Sequence, residues 1–196
     1  PWPRQIWSDL TGHLFNSGAR VVYFDITFPN SSTFSATEDS VFGHTASAGN
    51  TVFITALGRM EGAPIPETAL LDLELPWDTL PYRYASPPVA DIASGAAMLA
   101  SPYAYPDPDG MFRQFPLLFP AENGAVPSPP LACAMLYTGD MAPIYENGRV
   151  IFNDGEYPLT EDHELQLRFP GPSGTYSTLG ISDVFASMMG DTAAME

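Results

Sequence analysis

The run from Gly18 to Phe28, GARVVYFDITF, constrains the fold of this chain more than any other segment. Residues 21–24 within it are consecutively apolar, whereas a strand with one solvated face would alternate apolar and polar side chains. An unbroken run of β-branched and aromatic residues is typical of a strand covered on both faces, as in a parallel sheet packed with helices. The apolar stretch over residues 21–24 is followed by Asp25. Open α/β sheets hold their ligand-facing residues at this position, just after the carboxyl end of a strand.

The segments around this strand extend the pattern to a βαβ unit. Residues 3–17 place apolar side chains on one stripe and predict a helix, and residues 38–48 predict a second, shorter one. A second apolar strand follows over residues 51–57, and a strand, a helix and a strand in about 40 residues predict parallel pairing. The sequence therefore predicts a single three-layer α/β domain with a mostly parallel central sheet, helices on both faces and an antiparallel hairpin.

The hairpin is predicted from the dipeptide Asp109-Gly110, which favours a tight turn. We expect residues 97–103 and 111–118 to pair across it as antiparallel strands. Residues 129–137 are apolar all round and predict a buried helix, and residues 183–189 predict a last helix. No internal repeat or domain boundary is evident along the 196 residues.

The charge balance excludes one class of partner. The net charge is −16, and the seven basic residues are all arginines spread singly along the chain. A nucleic-acid binder needs a basic surface that releases counterions from phosphates, so we expect no nucleic-acid partner. The same charge repels anionic membranes, and no apolar run approaches the ~20 residues that span a bilayer. We therefore expect membrane attachment only through segments outside this chain.

No motif in the sequence identifies a catalytic reaction. The G-x-S-x-G, P-loop and G-x-G-x-x-G patterns are absent, and the three histidines, His13, His44 and His163, share no metal-ligand spacing. Cys133 is the single cysteine and its neighbours are apolar, which favours an inert thiol. The sequence therefore predicts no catalytic residue, no metal and no cofactor.

Three residues are candidates for ligand binding: Asp25, Asp109 and Arg113. Asp25 stands at the carboxyl end of a predicted strand, where it would either meet a ligand or cap a neighbouring loop. Asp109 lies in the predicted turn and Arg113 on the strand after it, within reach of Asp107 or Asp109, so a structural ion pair is the alternative for both. The pair of aspartates lacks the rest of a calcium-loop pattern.

Four blocks in this order resemble the type-two CHASE family. They are PWPR at the start, GARVVYFDITF, DPDGMFRQFPLL and RFPGPSGTYSTLGISDVFAS, and with their intervals they cover most of the chain. The resemblance implies an extracytoplasmic sensory domain of a bacterial signalling protein anchored in the inner membrane. It also implies an output on the cytoplasmic side, such as an adenylate or other nucleotide cyclase, a histidine kinase, a diguanylate cyclase or a protein kinase. Asp25, Asp109 and Arg113 match motif positions of the family, which gives them no defined role.

The family pattern includes a strand before PWPR and another after the last helix, and neither is found here. We expect residues 1–190 to form the sensory domain, without these flanking strands, and residues 191–196 to form a tail. A missing strand would leave a sheet edge open to pairing with another chain.

Three hypotheses for function follow. The first is a sensor that responds to a small-molecule or protein stimulus and acts as a homodimer in the full receptor. The second is a dimerisation module without a ligand. The third, a hydrolase, requires a histidine beside Asp25, for which His44 is the easiest candidate.

Overall fold

The computed structural model describes residues 2–169, 171–172 and 174–190. Pro1, Pro170, Ser173 and the predicted tail, residues 191–196, lie outside the described residues. The helices are α1 (Arg4–Asn16), α2 (Glu38–Ala46), α3 (Ala90–Ala93), α4 (Pro129–Thr138) and α5 (Ile181–Met188), with a short 3-10 turn at Glu67–Ala69. The predicted helices over residues 3–17, 38–48, 129–137 and 183–189 are confirmed as α1, α2, α4 and α5.

Thirteen strands are present in the described part of the chain, most of them three or four residues long. They are β1 (Val22–Phe24), β2 (Thr51–Ile54), β3 (Ala56–Gly58), β4 (Ala63–Pro64), β5 (Tyr84–Ser86), β6 (Met98–Ala100), β7 (Gln114–Pro116), β8 (Leu118–Ala121), β9 (Gly124–Pro127), β10 (Ile144–Glu146), β11 (Arg149–Phe152), β12 (Gly155–Pro158) and β13 (Glu164–Gln166).

One small parallel sheet, in the order β1-β2-β6, organises the amino-terminal half. Val22 lies opposite Thr51 and Phe24 opposite Phe53, so β1, α2 and β2 form the predicted βαβ unit. β6 pairs with the other side of β2, also in parallel. Every residue of β2 and β6 is buried, as expected for strands covered on both faces.

The two faces of this sheet pack into different apolar clusters. On one face Phe24 and Phe53 join Phe28 and Phe42, and the ring centroids of all six pairs lie 5.2–6.2 Å apart. Most of these pairs are edge-to-face, the arrangement that the ring quadrupole favours. On the other face the side chains of Val52, Met98 and Ala100 pack with residues of α4 and of the β-hairpins that follow it.

The remaining strands form four small antiparallel sheets. Two of their turns have the positive φ angles of type I′ hairpins: Asn147 and Gly148 join β10 to β11, and Asn153 and Asp154 join β11 to β12. The other pairings are β8 with β9, β7 with β13, and β5 with both β3 and β4. The carboxyl-terminal half is therefore built from local hairpins.

The prediction of a three-layer architecture with a mostly parallel central sheet and helices on both of its faces is wrong. The fold is mixed α/β, with one short parallel sheet beside several small antiparallel sheets. The apolar run before Asp25 forms only three strand residues, and β1 is the outermost strand of its sheet, with Tyr23 37% exposed. The apolar run indicated a strand with both faces buried, but it carried no information on how many strands lie beside that strand in the sheet.

The predicted hairpin between residues 97–103 and 111–118 is also wrong. The tight turn does form, because the N–H of Gly110 donates to Asp107 O at 2.8 Å. The segments on either side of the turn pair elsewhere, however: β6 pairs with β2 and β7 pairs with β13. β6 gains a fully buried partner in β2, and this tertiary contact outweighs the local preference of the turn.

Candidate functional site

The carboxyl end of β1 leads into a long loop, residues 25–37, that returns the chain to the start of α2. Asp25 lies at this end of the sheet, as predicted, with its side chain exposed to solvent. The Tyr23 hydroxyl donates to Asp25 Oδ1 at 3.1 Å. Burial, and then the neighbouring Asp25 carboxylate, raise the pKa of Tyr23, so its hydroxyl keeps its proton and remains a donor.

The start of α2 holds this loop in place with two carboxylates. Asp39 accepts from Arg4 Nε at 3.1 Å and from the N–H of Ser32 at 2.8 Å. Glu38 accepts from the N–H of Arg4 at 3.1 Å and from the Ser32 hydroxyl at 2.6 Å. The Arg4 and Asp39 side chains are only 13% and 7% exposed, so their ion pair is largely removed from water. This network joins the first turns of α1 and α2 to the loop.

A cleft of about 300 Å³, which we call the rim cleft, opens above this network. Its lining consists of Trp2, Arg4, Thr27 and residues 29–34. The Arg4 guanidinium lies 4.6 Å from the centre of the buried Phe28 ring and donates to Asn30 O at 2.9 Å, so it is engaged on several sides. Asp25 is at the same end of β1 and is absent from this lining.

The structure brings Asp109 and Arg113 together in a second place, the turn before β7. Arg113 Nη1 and Nη2 donate to the two carboxylate oxygens of Asp109 at 2.9 and 2.7 Å, and Nη1 also donates to Asp107 at 2.7 Å. These bonds lower the pKa of Asp109 and raise that of Arg113. Because the Asp109–Arg113 contact is bidentate and exposed, a ligand there must compete with an internal ion pair.

The geometry gives the hydrolase hypothesis no support. His44 lies in the last turn of α2, which precedes β2, whereas Asp25 follows the end of β1. In a βαβ unit the helix runs antiparallel to the strands, so the last turn of α2 lies at the opposite end of the sheet from Asp25. Asp25 is paired instead with Tyr23. Over residues 2–169, 171–172 and 174–190, no group of three or more His, Cys, Asp or Glu side chains could hold a metal ion.

Sequence reasoning missed Arg4, Ser32, Glu38 and Asp39 as site residues. Two signals were available: a Pro-Arg pair at the start of α1, and two acids in the first turn of α2, where the helix dipole favours negative charge. Neither signal reveals that the two helix starts meet, because the interacting residues are 35 positions apart in the chain.

Comparison with known proteins gives one match. The family model described as CHASE2 domain matches residues 1–195, essentially the whole chain. No curated protein and no solved structure matches. Within the part of the chain that the structure describes, no helix is long and apolar enough to cross a membrane.

Proposed function

Because the chain belongs to the CHASE2 domain family, whose members are extracytoplasmic sensory domains of signalling receptors, we propose that it is the ligand-binding sensor of a membrane-anchored bacterial protein. In this proposal the domain lies in the periplasm or at the cell surface and relays a stimulus to a cytoplasmic cyclase or kinase. It performs no catalysis itself. The observation that carries the proposal is the family match over residues 1–195.

The rim at the carboxyl end of β1 is our proposed place for the stimulus to bind. Two features support it: the rim cleft, which is large enough for a small ligand, and Asp25, an exposed carboxylate at the same end of the strand. Asp109 and Arg113 are the second proposed contact point. Their mutual ion pair would open only for a ligand that replaces both charge-assisted hydrogen bonds.

The proposed relay is a shift between two arrangements of the domain within a homodimeric receptor. A ligand moves such an equilibrium only by as much as it binds one arrangement more tightly than the other. The loop over residues 25–37 suits this role because it is tied to both α1 and α2, so a ligand on the loop acts on two helices together.

The test uses the full-length gene product in cells grown over a range of nutrients, carbon sources and osmolarity. We expect Asp25→Asn and Asp25→Ala to change the output in at least one condition. Glu61→Ala, which removes another exposed acid from a loop outside the rim cleft lining, is the control and should leave the output unchanged. If both Asp25 variants follow the wild type in every condition, the rim is not where the stimulus acts.

A dimerisation module without a ligand is the second candidate function, and the position of β1 favours it. β1 is the outermost strand of its sheet, and the N–H of Val22 donates toward β2, to Asn50 O. Strand alternation then directs the N–H and C=O of Tyr23 outward, where a strand of a second copy could pair.

Tyr23→Pro tests this candidate, because it removes the outward N–H and leaves the bonds between β1 and β2 in place. A dimer of the wild-type chain that Tyr23→Pro dissociates in sedimentation experiments would favour the second candidate. A monomeric wild type, or a dimer that this variant leaves intact, would count against it.

A further inference from the structure

The polar groups that the rim cleft offers to a ligand are neutral. Among the residues that the structure describes, the side chains of Thr27, Asn30, Ser31 and Thr33 make no hydrogen bond with one another or with any other group. Arg4 is the single charged residue among the described residues of the lining, and it is already engaged by Asp39 and by Asn30 O. The free donors and acceptors are therefore hydroxyls and one amide, which suit a ligand rich in hydroxyl groups.

Two aromatic side chains complete the lining. Trp2 and Phe34 are 44% and 57% exposed, although burial of such rings is strongly favourable. A sugar ring presents an apolar C–H face together with a rim of hydroxyls. The exposed aromatic rings can pack against the C–H face of such a molecule, and the protein hydroxyls that have no hydrogen-bond partner can bond to its hydroxyl groups.

The charges on the protein favour a neutral sugar over an anionic or a cationic one. The chain carries a net charge of −16, which disfavours an anionic ligand. Among the described residues no carboxylate lines the rim cleft, so a cationic ligand would find no negative partner in the lining. A volume of about 300 Å³ is at the small end of the range for ligand pockets, which favours a single sugar unit.

Trp2 also links the rim cleft to the last helix. Its ring stacks on Trp7 of α1, with centroids 5.3 Å apart, and lies 6.0 Å from the ring of Phe185 in α5. α5 has no buried residue, so its position depends on few contacts, and the Trp2–Phe185 contact is one of them. A ligand that fixes the Trp2 ring therefore also fixes the surface against which Phe185 of α5 packs.

We propose that the rim cleft binds a neutral monosaccharide or polyol stacked on Trp2, and that Trp2 transmits its binding to α5. This inference rests on the proposed function, for which it names the ligand class and the first step of the relay.

Binding is tested by calorimetry and tryptophan fluorescence on the 196-residue chain with a charge-matched set of probes. The neutral probes are glucose, galactose, xylose, ribose and sorbitol, and the charged probes are glucuronate and glucosamine. We expect saturable binding of at least one neutral probe, and binding of both charged probes at least tenfold weaker. Loss of aromatic stacking in Trp2→Ala or Phe34→Ala should weaken the affinity by about tenfold. Trp77→Phe, at a tryptophan outside the lining, should leave the affinity unchanged.

The ligand class is refuted if no neutral probe binds, or if glucuronate or glucosamine binds as tightly as the neutral probes. It is also refuted if Trp2→Ala and Phe34→Ala both fold and bind like the wild type. Phe34 is exposed, so Phe34→Ala keeps the test valid if Trp2→Ala fails to fold.

The relay is tested by amide hydrogen exchange over residues 181–188. We expect the bound sugar to increase protection there in the wild type. In Phe185→Ala the sugar should still bind, within a few-fold of the wild-type affinity, and the change in protection should disappear. Unchanged exchange over these residues in the sugar-bound wild type would refute the relay through Trp2.

The outcomes separate the two proposals. If output depends on Asp25 while no neutral probe binds, the ligand class is wrong and the sensor function stands. If a sugar binds while the full-length protein's output ignores every rim substitution, the site is real and the sensor proposal fails.

Discussion

Asp39→Asn tests the hydrogen-bond network that holds the loop over residues 25–37. The substitution keeps the shape of the side chain and an oxygen for the Ser32 N–H, and removes the charge that faces Arg4. Removal of one partner from a buried ion pair costs about 3–5 kcal/mol, because the other charge is left uncompensated. Arg4 retains some access to water and its contacts with Asn30 O and the Phe28 ring. A charge-assisted hydrogen bond contributes roughly 1.5–3 kcal/mol, so we expect Asp39→Asn to lower the free energy of unfolding by about 2 kcal/mol.

The assay is equilibrium unfolding in urea followed by circular dichroism. The midpoint should fall with no change in the dependence on urea concentration, which reports a change of stability without a change of compactness. Glu122→Gln is the matched control, because the Arg83–Glu122 pair is half-exposed on both sides and exposed pairs contribute about 0–1 kcal/mol. If Asp39→Asn costs no more than Glu122→Gln, the buried network does not hold the loop and our reasoning on this site is refuted.

Three further predictions concern the packing and the titration of the fold. Phe42→Ala should lower the free energy of unfolding by about 3–5 kcal/mol in the same urea assay, because the ring is fully buried among three others, and a loss below 2 kcal/mol would contradict this packing. Gly43→Ala should cost about 1–3 kcal/mol, since a Cβ there would lie 2.0 Å from the backbone oxygen of Asp91 and force α2 away from α3; thermal unfolding that matches the wild type would exclude the close approach. Burial, and then Asp162, raise the pKa of Glu164 above its ordinary 4.5, so the folded state holds this proton more tightly and stability falls as pH rises from about 4.5 through the raised pKa. Glu164→Gln should therefore raise Tm relative to the wild type more at pH 7 than at pH 4, and an equal difference at both pH values would contradict the assignment.

The sequence was a good guide wherever a periodic pattern determined the structure locally. The helical stripe over residues 3–17 and the apolar helix over residues 129–137 both formed within a residue or two of their expected bounds. The parallel pairing of β1 with β2 was also predictable, because a strand, a helix and a strand in so few residues leave little choice. These elements depend mainly on contacts close in the sequence or on connections of limited length.

The extent of the parallel sheet could not be predicted in the same way. An apolar strand is equally apolar whether it lies at the centre or at the edge of a sheet, provided that helices cover both faces. The hairpins around Asn147-Gly148 and Asn153-Asp154 did carry a local signal, since these residue types favour the type I′ turn. These turn residues were a better guide to the strands than the polar and acidic composition of residues 146–162.

The candidate site likewise contains one feature that the sequence predicted and one that it did not. The exposure of Asp25 at the end of β1 followed from its place after the apolar run. The Arg4–Asp39 pair did not, because each residue taken alone resembles an ordinary surface charge at a helix start. Only the packing of α1 beside α2 removes the two charges from water and makes them partners.

The location of the domain relative to the membrane is the most direct test of the account. Met60 is 91% exposed, so Met60→Cys presents an accessible thiol once Cys133 and every cysteine of the full-length protein outside this chain are replaced by serine. The measurement is the reaction of this thiol, in intact cells, with a maleimide that cannot cross the inner membrane. A sensor outside that membrane predicts the same labelling in intact and lysed cells. Labelling that appears only after lysis would place the domain in the cytoplasm and contradict the account.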